Sequence, residues 1–177
     1  MATNPKHLII LQGPSQSGKT QTMKHFLSFL HKLDYQLLYK GKKWIECLEV
    51  LSYQGVRLGI NSRSDKFGVV EKNLFFLSSE MECDWVFTAI NEKTKGIIEL
   101  MEKYKEAGWI VTQLDKFPRY CNRPQKELHM GLNLEAAKAI WDIFQQLLSA
   151  QSQEEFIQEE SKPFSFIIPS NNNNYGN

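Results

Sequence analysis

Eight consecutive residues have the types and spacing for phosphate chemistry: Gly13-Pro14-Ser15-Gln16-Ser17-Gly18-Lys19-Thr20, which reads G-x-x-x-x-G-K-[ST]. Glycines let a backbone turn tightly and bring its N–H groups close to phosphate oxygens. A helix opening directly after the turn adds its unpaired amides and its dipole to the same anion site. Lys19 supplies a mobile point charge for β- and γ-phosphates, and the Thr20 hydroxyl is a ligand type that Mg²⁺ accepts. Further along, Asp65 follows the apolar Ile60 by five residues, Asp115 closes another apolar run, and Arg119 and Arg123 stand four residues apart in a polar stretch. Asp65 has the chemistry to bind Mg²⁺ through water or to orient an acceptor as a base; Asp115 is the nearest match to an acid that ends a strand and meets a metal.

Such a loop works only if a buried strand delivers it and a helix leaves it. Leu8-Ile9-Ile10-Leu11 is a short apolar run immediately before the loop, and from Gln21 to Leu33 the residues Met23, Phe26, Leu27, Leu30 and Leu33 share one helical face. By ordinary residue frequencies the bare pattern arises by chance in roughly one chain in a hundred of this size. Agreement of strand, loop and helix argues against a mere Gly-rich turn.

Over about Lys6 to Leu33 the chain resembles the P-loop NTPase superfamily, and the Gly-Pro-Ser-x-Ser-Gly-Lys-Thr form is most similar to the loops of small P-loop kinases such as the guanylate kinase group. The resemblance implies a three-layer α/β fold, a mostly parallel sheet with helices on both faces. It also implies that Gly13, Pro14, Ser15, Gln16, Ser17, Gly18, Lys19, Thr20 and Gln21 contact a nucleoside triphosphate, with Thr20, Asp65 and Asp115 as candidates for the metal. Small P-loop kinases often carry a lid near the position of Asp115 to Met130, which makes Arg119 and Arg123 candidates to close over the phosphates and stabilise transition-state charge. A plain surface connection and a contact site for a partner are competing readings of that stretch. The arginine-rich substrate motif of guanylate kinases has only a faint echo in Ser62-Arg63-Ser64-Asp65, so the subfamily stays open.

The remaining elements follow in order. Tyr35 to Tyr39 suits a short strand. Lys40-Gly41-Lys42-Lys43 is a basic turn. Trp44 to Tyr53 suits helix or strand, and with the turn at Gln54-Gly55 and the alternation of Val56 to Ile60 it reads as a hairpin with the second arm more buried. Val69 to Met81 reads as a helix packing on the sheet. Asp84 to Ile90 is a nearly continuous apolar run, suited to a strand buried on both faces, and it exits into Asn91-Glu92-Lys93-Thr94-Lys95-Gly96. Gly96 to Ala107 is an amphipathic helix with Ile97, Ile98, Met101 and Tyr104 inward, Gly108 its C-terminal stop, and Trp109 to Leu114 the next, parallel strand. Asn133 is placed to cap a last helix from Leu134 to Ser149. The expected organisation is a nucleotide-binding domain over 1–150 and a C-terminal extension over 151–177, in which Phe164 to Ile168 suits an edge strand or a docking segment and the Asn-rich end suits a disordered tail.

Composition narrows the classes. The 177 residues carry a net charge of +1, so there is no global electrostatic case for nucleic acid or an anionic membrane. No apolar run approaches a membrane span. Cys47, Cys83 and Cys121 have neither disulfide nor zinc spacing and fit a reducing, cytoplasmic setting. No apolar run ends in two acids, which argues against a motor ATPase, and the GTPase motif Asn-Lys-x-Asp is absent, which favours ATP. The expected activity is transfer of the γ-phosphoryl group of Mg-ATP to a small molecule or nucleotide. The rival is a slow NTPase switch acting through a protein or nucleic-acid partner.

Overall fold

The structure is a computed structural model that describes residues 5–41, 46–63, 66–116 and 126–160, the side chains of 126–128 and 154–160 excepted. It is an α/β protein with a six-stranded sheet. Its elements run β1 (His7–Gly13), α1 (Lys19–Leu30), β2 (Gln36–Lys40), β3 (Leu48–Tyr53), β4 (Val56–Asn61), α2 (Phe67–Phe75), β5 (Trp85–Asn91), α3 (Ile97–Glu106), β6 (Ile110–Asp115) and α4 (Lys126–Glu160). The strand order is β2-β3-β4-β5-β1-β6. Strands β4, β5, β1 and β6 are parallel neighbours, whereas β3 runs antiparallel to both β2 and β4. The chain divides into two compact units, Met1–Phe144, which holds the sheet, and Gln145–Asn177.

Sheet centre and sheet edge differ as the residue types require. Leu8, Ile9, Ile10 and Leu11 of β1 are at most 2% exposed, as befits a parallel strand covered on both faces. Strand β5 is buried from Trp85 through Ile90, and β2 at the edge is exposed throughout. Alternation along β1 and β5 sorts side chains to opposite faces. On one face Leu8, Ile10, Val86 and Ile90 form an aliphatic cluster with Val70, Leu74 and Leu77 and with Ile97 and Leu100 of α3. On the other, Phe87 and Trp85 meet Phe26 of α1 and Phe144 of α4 in an aromatic cluster with centroids 4.7–6.4 Å apart. Helices therefore cover both faces of the sheet.

The expected hairpin is present as β3–β4, with β4 the more buried arm. The helix expected over Val69 to Met81 is present in two parts, α2 and a π-helical turn over Phe76–Glu80. Three expectations need correction. Helix α1 ends at Leu30, so Leu33 falls in the turn after it and not on the helical face. Ile98 is 72% exposed and Leu100 is the buried neighbour: after Ile97 the helical period brings position i+3, not i+1, back to the core. Asn133 does not cap α4, which already begins at Lys126; the run from Lys126 to Leu132 contains no proline and is rich in good helix formers, so the helix extends upstream. The assignments to Trp44, Cys121, Phe164 to Ile168 and the Asn-rich end lie outside the described residues. Among the described residues no helix is long and apolar enough to cross a membrane.

Candidate phosphate site at the β1–α1 junction

The loop from Gly13 to Gly18 connects the carboxyl end of β1 to the first turn of α1. Two of its residues adopt positive φ, Gln16 at 61° and Gly18 at 90°. Gly18 is the residue before α1 and offers no side chain to cap it. The helical ladder starts with Thr22 N–H donating to the Gly18 carbonyl at 2.8 Å. The amides of Lys19, Thr20 and Gln21, one turn earlier, have no carbonyl within the helix to bond, and the first turn of α1 contains no acidic residue. The helix thus opens at a glycine, and no side chain of its own first turn offsets the positive end of the dipole.

Lys19 folds its side chain back into the loop. Its Nζ donates to the Gly13 carbonyl at 2.9 Å, the Pro14 carbonyl at 2.6 Å and Ser17 Oγ at 3.5 Å, and the residue is 4% exposed. The ammonium is thus held by loop oxygens at the mouth of the sheet. Thr20, one position on, donates from Oγ1 to the Ser62 carbonyl at 3.4 Å. Ser62 is fully buried and makes two hydrogen bonds to Cys47: its N–H donates to the Cys47 carbonyl at 2.8 Å, and its Oγ accepts the Cys47 N–H at 2.6 Å. A chain of hydrogen bonds therefore ties the start of α1 to the carboxyl end of β4.

Neighbouring strand ends close around the loop. The Glu92 amide, just past β5, donates to the Gly13 carbonyl at 3.1 Å, the same oxygen that Lys19 uses. On the other side, the Lys116 amide donates to the Gln12 carbonyl at 2.6 Å. The Lys116 side chain is buried and its Nζ donates to the Leu132 carbonyl at 2.9 Å; that burial lowers its pKa from the ordinary lysine value, against the smaller opposing effect of Glu135. A Cβ on Gly13 would fall 2.8 Å from the Lys116 carbonyl oxygen, and one on Gly18 would fall 2.2 Å from Asn133 Oδ1. At Gly13 the obstacle is backbone; at Gly18 it is the Asn133 side-chain amide together with the left-handed φ, so both glycines are closely packed around the loop.

The other residues singled out in the sequence fall as follows. Asp65, Arg119 and Arg123 lie outside the described residues. Asp115 pairs in register with Gln12, and Gln113 with Ile10, so Asp115 belongs to the aliphatic-cluster face of the sheet, opposite α1. It is exposed and accepts a hydrogen bond from Gln113 Nε2 at 3.3 Å. The structure thus does not bring Asp115 and Thr20 to one face. Asn91 does align with Gly13, on the α1 face, and its Oδ1 accepts the Lys93 amide at 3.1 Å. Arg63 is ion-paired with Glu46. Among the described residues no three His, Cys, Asp or Glu side chains are gathered as a metal cluster.

Several residues around the site are not evident from sequence reasoning. Asn61, fully buried at the end of β4, donates to Thr88 Oγ1 at 2.9 Å and accepts from Asn73 Nδ2 at 3.0 Å. It also brackets Arg63 through that residue's amide and carbonyl. This network fixes the exit of β4, and with it Ser62. Its signal was polar residues inside apolar runs: Thr88 within the buried strand and Asn73 within a helix. Asn133 reads as a helix cap and Lys116 as one of several basic residues in a polar stretch, because nothing in the chain announces that Gly13 and Gly18 pack against them.

A scan against family models, a search of curated proteins and a search of solved structures each returned no match.

Proposed function

We propose that the chain is a Mg-ATP-binding phosphotransferase of the P-loop type. The observation that carries the reading is the Lys19 ammonium held by the Gly13 and Pro14 carbonyls at the strand-to-helix turn, at the N-terminal, positive end of α1. The donor set suits a phosphate chain: backbone N–H groups, one lysine, and no carboxylate in the first turn of α1. It also suits Mg²⁺, which keeps several waters and needs only one or two protein oxygens alongside phosphate; Thr20 is the described residue of that kind. When bound, the metal supplies charge neutralisation at the phosphate oxygens. The chain's part is to orient: the loop amides fix the phosphates, Lys19 exchanges its carbonyl partners for phosphate oxygens, and Thr20 leaves the Ser62 carbonyl for the metal side. Phosphoryl transfer asks little more of a protein than positioning and positive charge.

The test is ADP release from Mg-ATP by the full chain, with and without a pool of nucleosides, nucleotides and small metabolites. Stimulation by the pool is expected, and Lys19→Ala should lower turnover about a hundredfold or more. Full activity of Lys19→Ala at saturating ATP would sink the assignment.

One observation favours a second reading, a slow NTPase switch working through a partner. At the exit of β5, the position in register with Gly13 on the α1 face is Asn91, an amide, which cannot take a proton from water as a carboxylate can. A slow basal rate unmoved by any acceptor, yet lost in Lys19→Ala, would select this reading.

A further inference from the structure

A cleft of about 490 Å³ opens at the carboxyl ends of β1, β5 and β6, on the α3 side of the sheet. Ligands of open α/β sheets lie outside the carboxyl ends of the strands. This cleft shares a wall with the phosphate loop. Gln12, which lines it, directly precedes Gly13, and Glu92, which also lines it, bonds the Gly13 carbonyl through its amide. Lys19 Nζ is on that same carbonyl. From these placements we propose that the cleft is the acceptor subsite, and that it takes an uncharged or amine-bearing polyhydroxy molecule and refuses phosphorylated ones. The proposal rests on the phosphotransferase reading above.

The chemistry of the walls sets the class. Two neutral amides, Gln12 and Gln113, offer both donors and acceptors, which match hydroxyl groups. Gln113 already spends a donor on Asp115. Three carboxylates, Glu92, Glu99 and Glu102, face the single ammonium of Lys95. Glu102 is paired with Lys105 at 2.7 Å. Glu92 and Glu99 have no ion-pair partner among the described residues. Glu99 also sits in the first turn of α3, where it neutralises the positive helix end that would otherwise attract an anion. A phosphate monoester entering here meets net negative charge, whereas an ammonium or hydroxyl finds acceptors. In the transfer, an acceptor hydroxyl oxygen bonds to the γ-phosphorus as the bond from that phosphorus to the β,γ-bridging oxygen breaks. ADP leaves with the electron pair, and the hydroxyl proton is released to solvent.

The experiment pairs each neutral or amine-bearing probe with its phosphate: adenosine with AMP, glucosamine with glucosamine 6-phosphate, glycerol with glycerol 3-phosphate. Binding to the full chain is read by saturation-transfer NMR, with and without Mg-ATP. ADP release is followed in parallel, and the Mg-ATP Kd is measured separately by calorimetry. The expected result is binding and stimulation confined to the unphosphorylated set. Glu99→Lys and Gln113→Ala, both at exposed positions, should each weaken that binding roughly tenfold while leaving the Mg-ATP Kd in place. Preference for the phosphorylated set, or binding of neither set by a protein that binds Mg-ATP, overturns the subsite and spares the phosphate loop. A protein that does not bind Mg-ATP at all overturns the phosphotransferase reading instead. In that case the cleft is no acceptor subsite, and only its selectivity is judged, by NMR alone: loss of the neutral-set signals in both variants upholds that selectivity, and their persistence overturns it.

Discussion

Helices α1 and α3 begin in the same way and arrive at opposite chemistry. Each follows a parallel strand at the centre of the sheet, and each is preceded by a glycine in the left-handed region with no side-chain cap, Gly18 at φ 90° and Gly96 at φ 83°. The first turn of α3 carries Glu99, so the chain satisfies the positive helix end with its own carboxylate. The first turn of α1 carries no acid and instead holds Lys19 turned into the loop. Close packing separates them as well: a Cβ on Gly18 would meet Asn133 Oδ1 at 2.2 Å, and one on Gly96 would meet the edge of the Phe67 ring at 3.1 Å. A glycine-opened helix is therefore common property of this sheet. What makes one of the two a candidate anion site is the missing carboxylate, the inward lysine and the packed surroundings.

The glycines test that contrast with the largest expected effect. Gly18→Ala forces a β-carbon into a left-handed backbone and into the Asn133 amide, and should cost roughly 2 kcal/mol or more in urea unfolding, with Mg-ATP binding lost. Gly96→Ala shares the backbone strain but meets the Phe67 ring edge only at 3.1 Å, a far looser contact than the Asn133 amide makes at Gly18, so its cost should be the smaller. Adding Asn133→Ala to Gly18→Ala should recover the part due to the clash and leave the part due to φ. Equal costs at both glycines, or no recovery, would dissolve the comparison.

Lys116, packed over Gly13, provides a test by pH. Its folded pKa lies below the ordinary lysine value of 10.5 because burial disfavours the charged form. Between those two values the unfolded chain binds more protons than the folded one, so this residue's contribution to stability rises as pH climbs through that window and is lost as pH falls back. Lys116→Met should flatten that rise in chemical unfolding followed across alkaline pH. An unchanged slope would mean that the ammonium is not desolvated where it meets the Leu132 carbonyl.

The smallest effect comes from exchanging the first-turn charges. Gln21→Glu, at an exposed position of α1, should stabilise the fold by about 0.3–1 kcal/mol through the helix dipole while weakening Mg-ATP binding. Glu99→Gln should lose a similar amount of stability with Mg-ATP binding unmoved. Identical responses at the two helices would show that the missing acid in α1 has no bearing on ligand binding.

Much of this arrangement was legible in the chain because local signals agreed. The run Leu8 to Leu11, the glycine spacing and the face formed by Met23, Phe26 and Leu30 all describe one strand, turn and helix, and all are found. The β3–β4 hairpin was legible from the turn at Gln54-Gly55 and the alternation of Val56 to Ile60, although the first arm alone suited helix or strand. What was not legible depends on strand order. Nothing in the sequence puts β5 and β6 on either side of β1, so nothing tells Asn91 from Asp115 as the residue aligned on the face of α1. Likewise Asn133 has the residue type of a helix cap, and only the upstream extension of α4 turns it into a wall against Gly18. Ser62 looked like one of several polar residues after a strand. Its hydrogen bonds to Cys47 and Thr20 are long-range facts that propensity does not encode.

The most direct test of the central claim is calorimetric titration of Mg-ATP into the intact chain and into Lys19→Ala. The native protein should bind saturably and the variant should lose about a hundredfold or more in affinity, because the removed ammonium supplies charge-assisted hydrogen bonds to phosphate. No binding by the native protein, or equal affinity in the two, would contradict it.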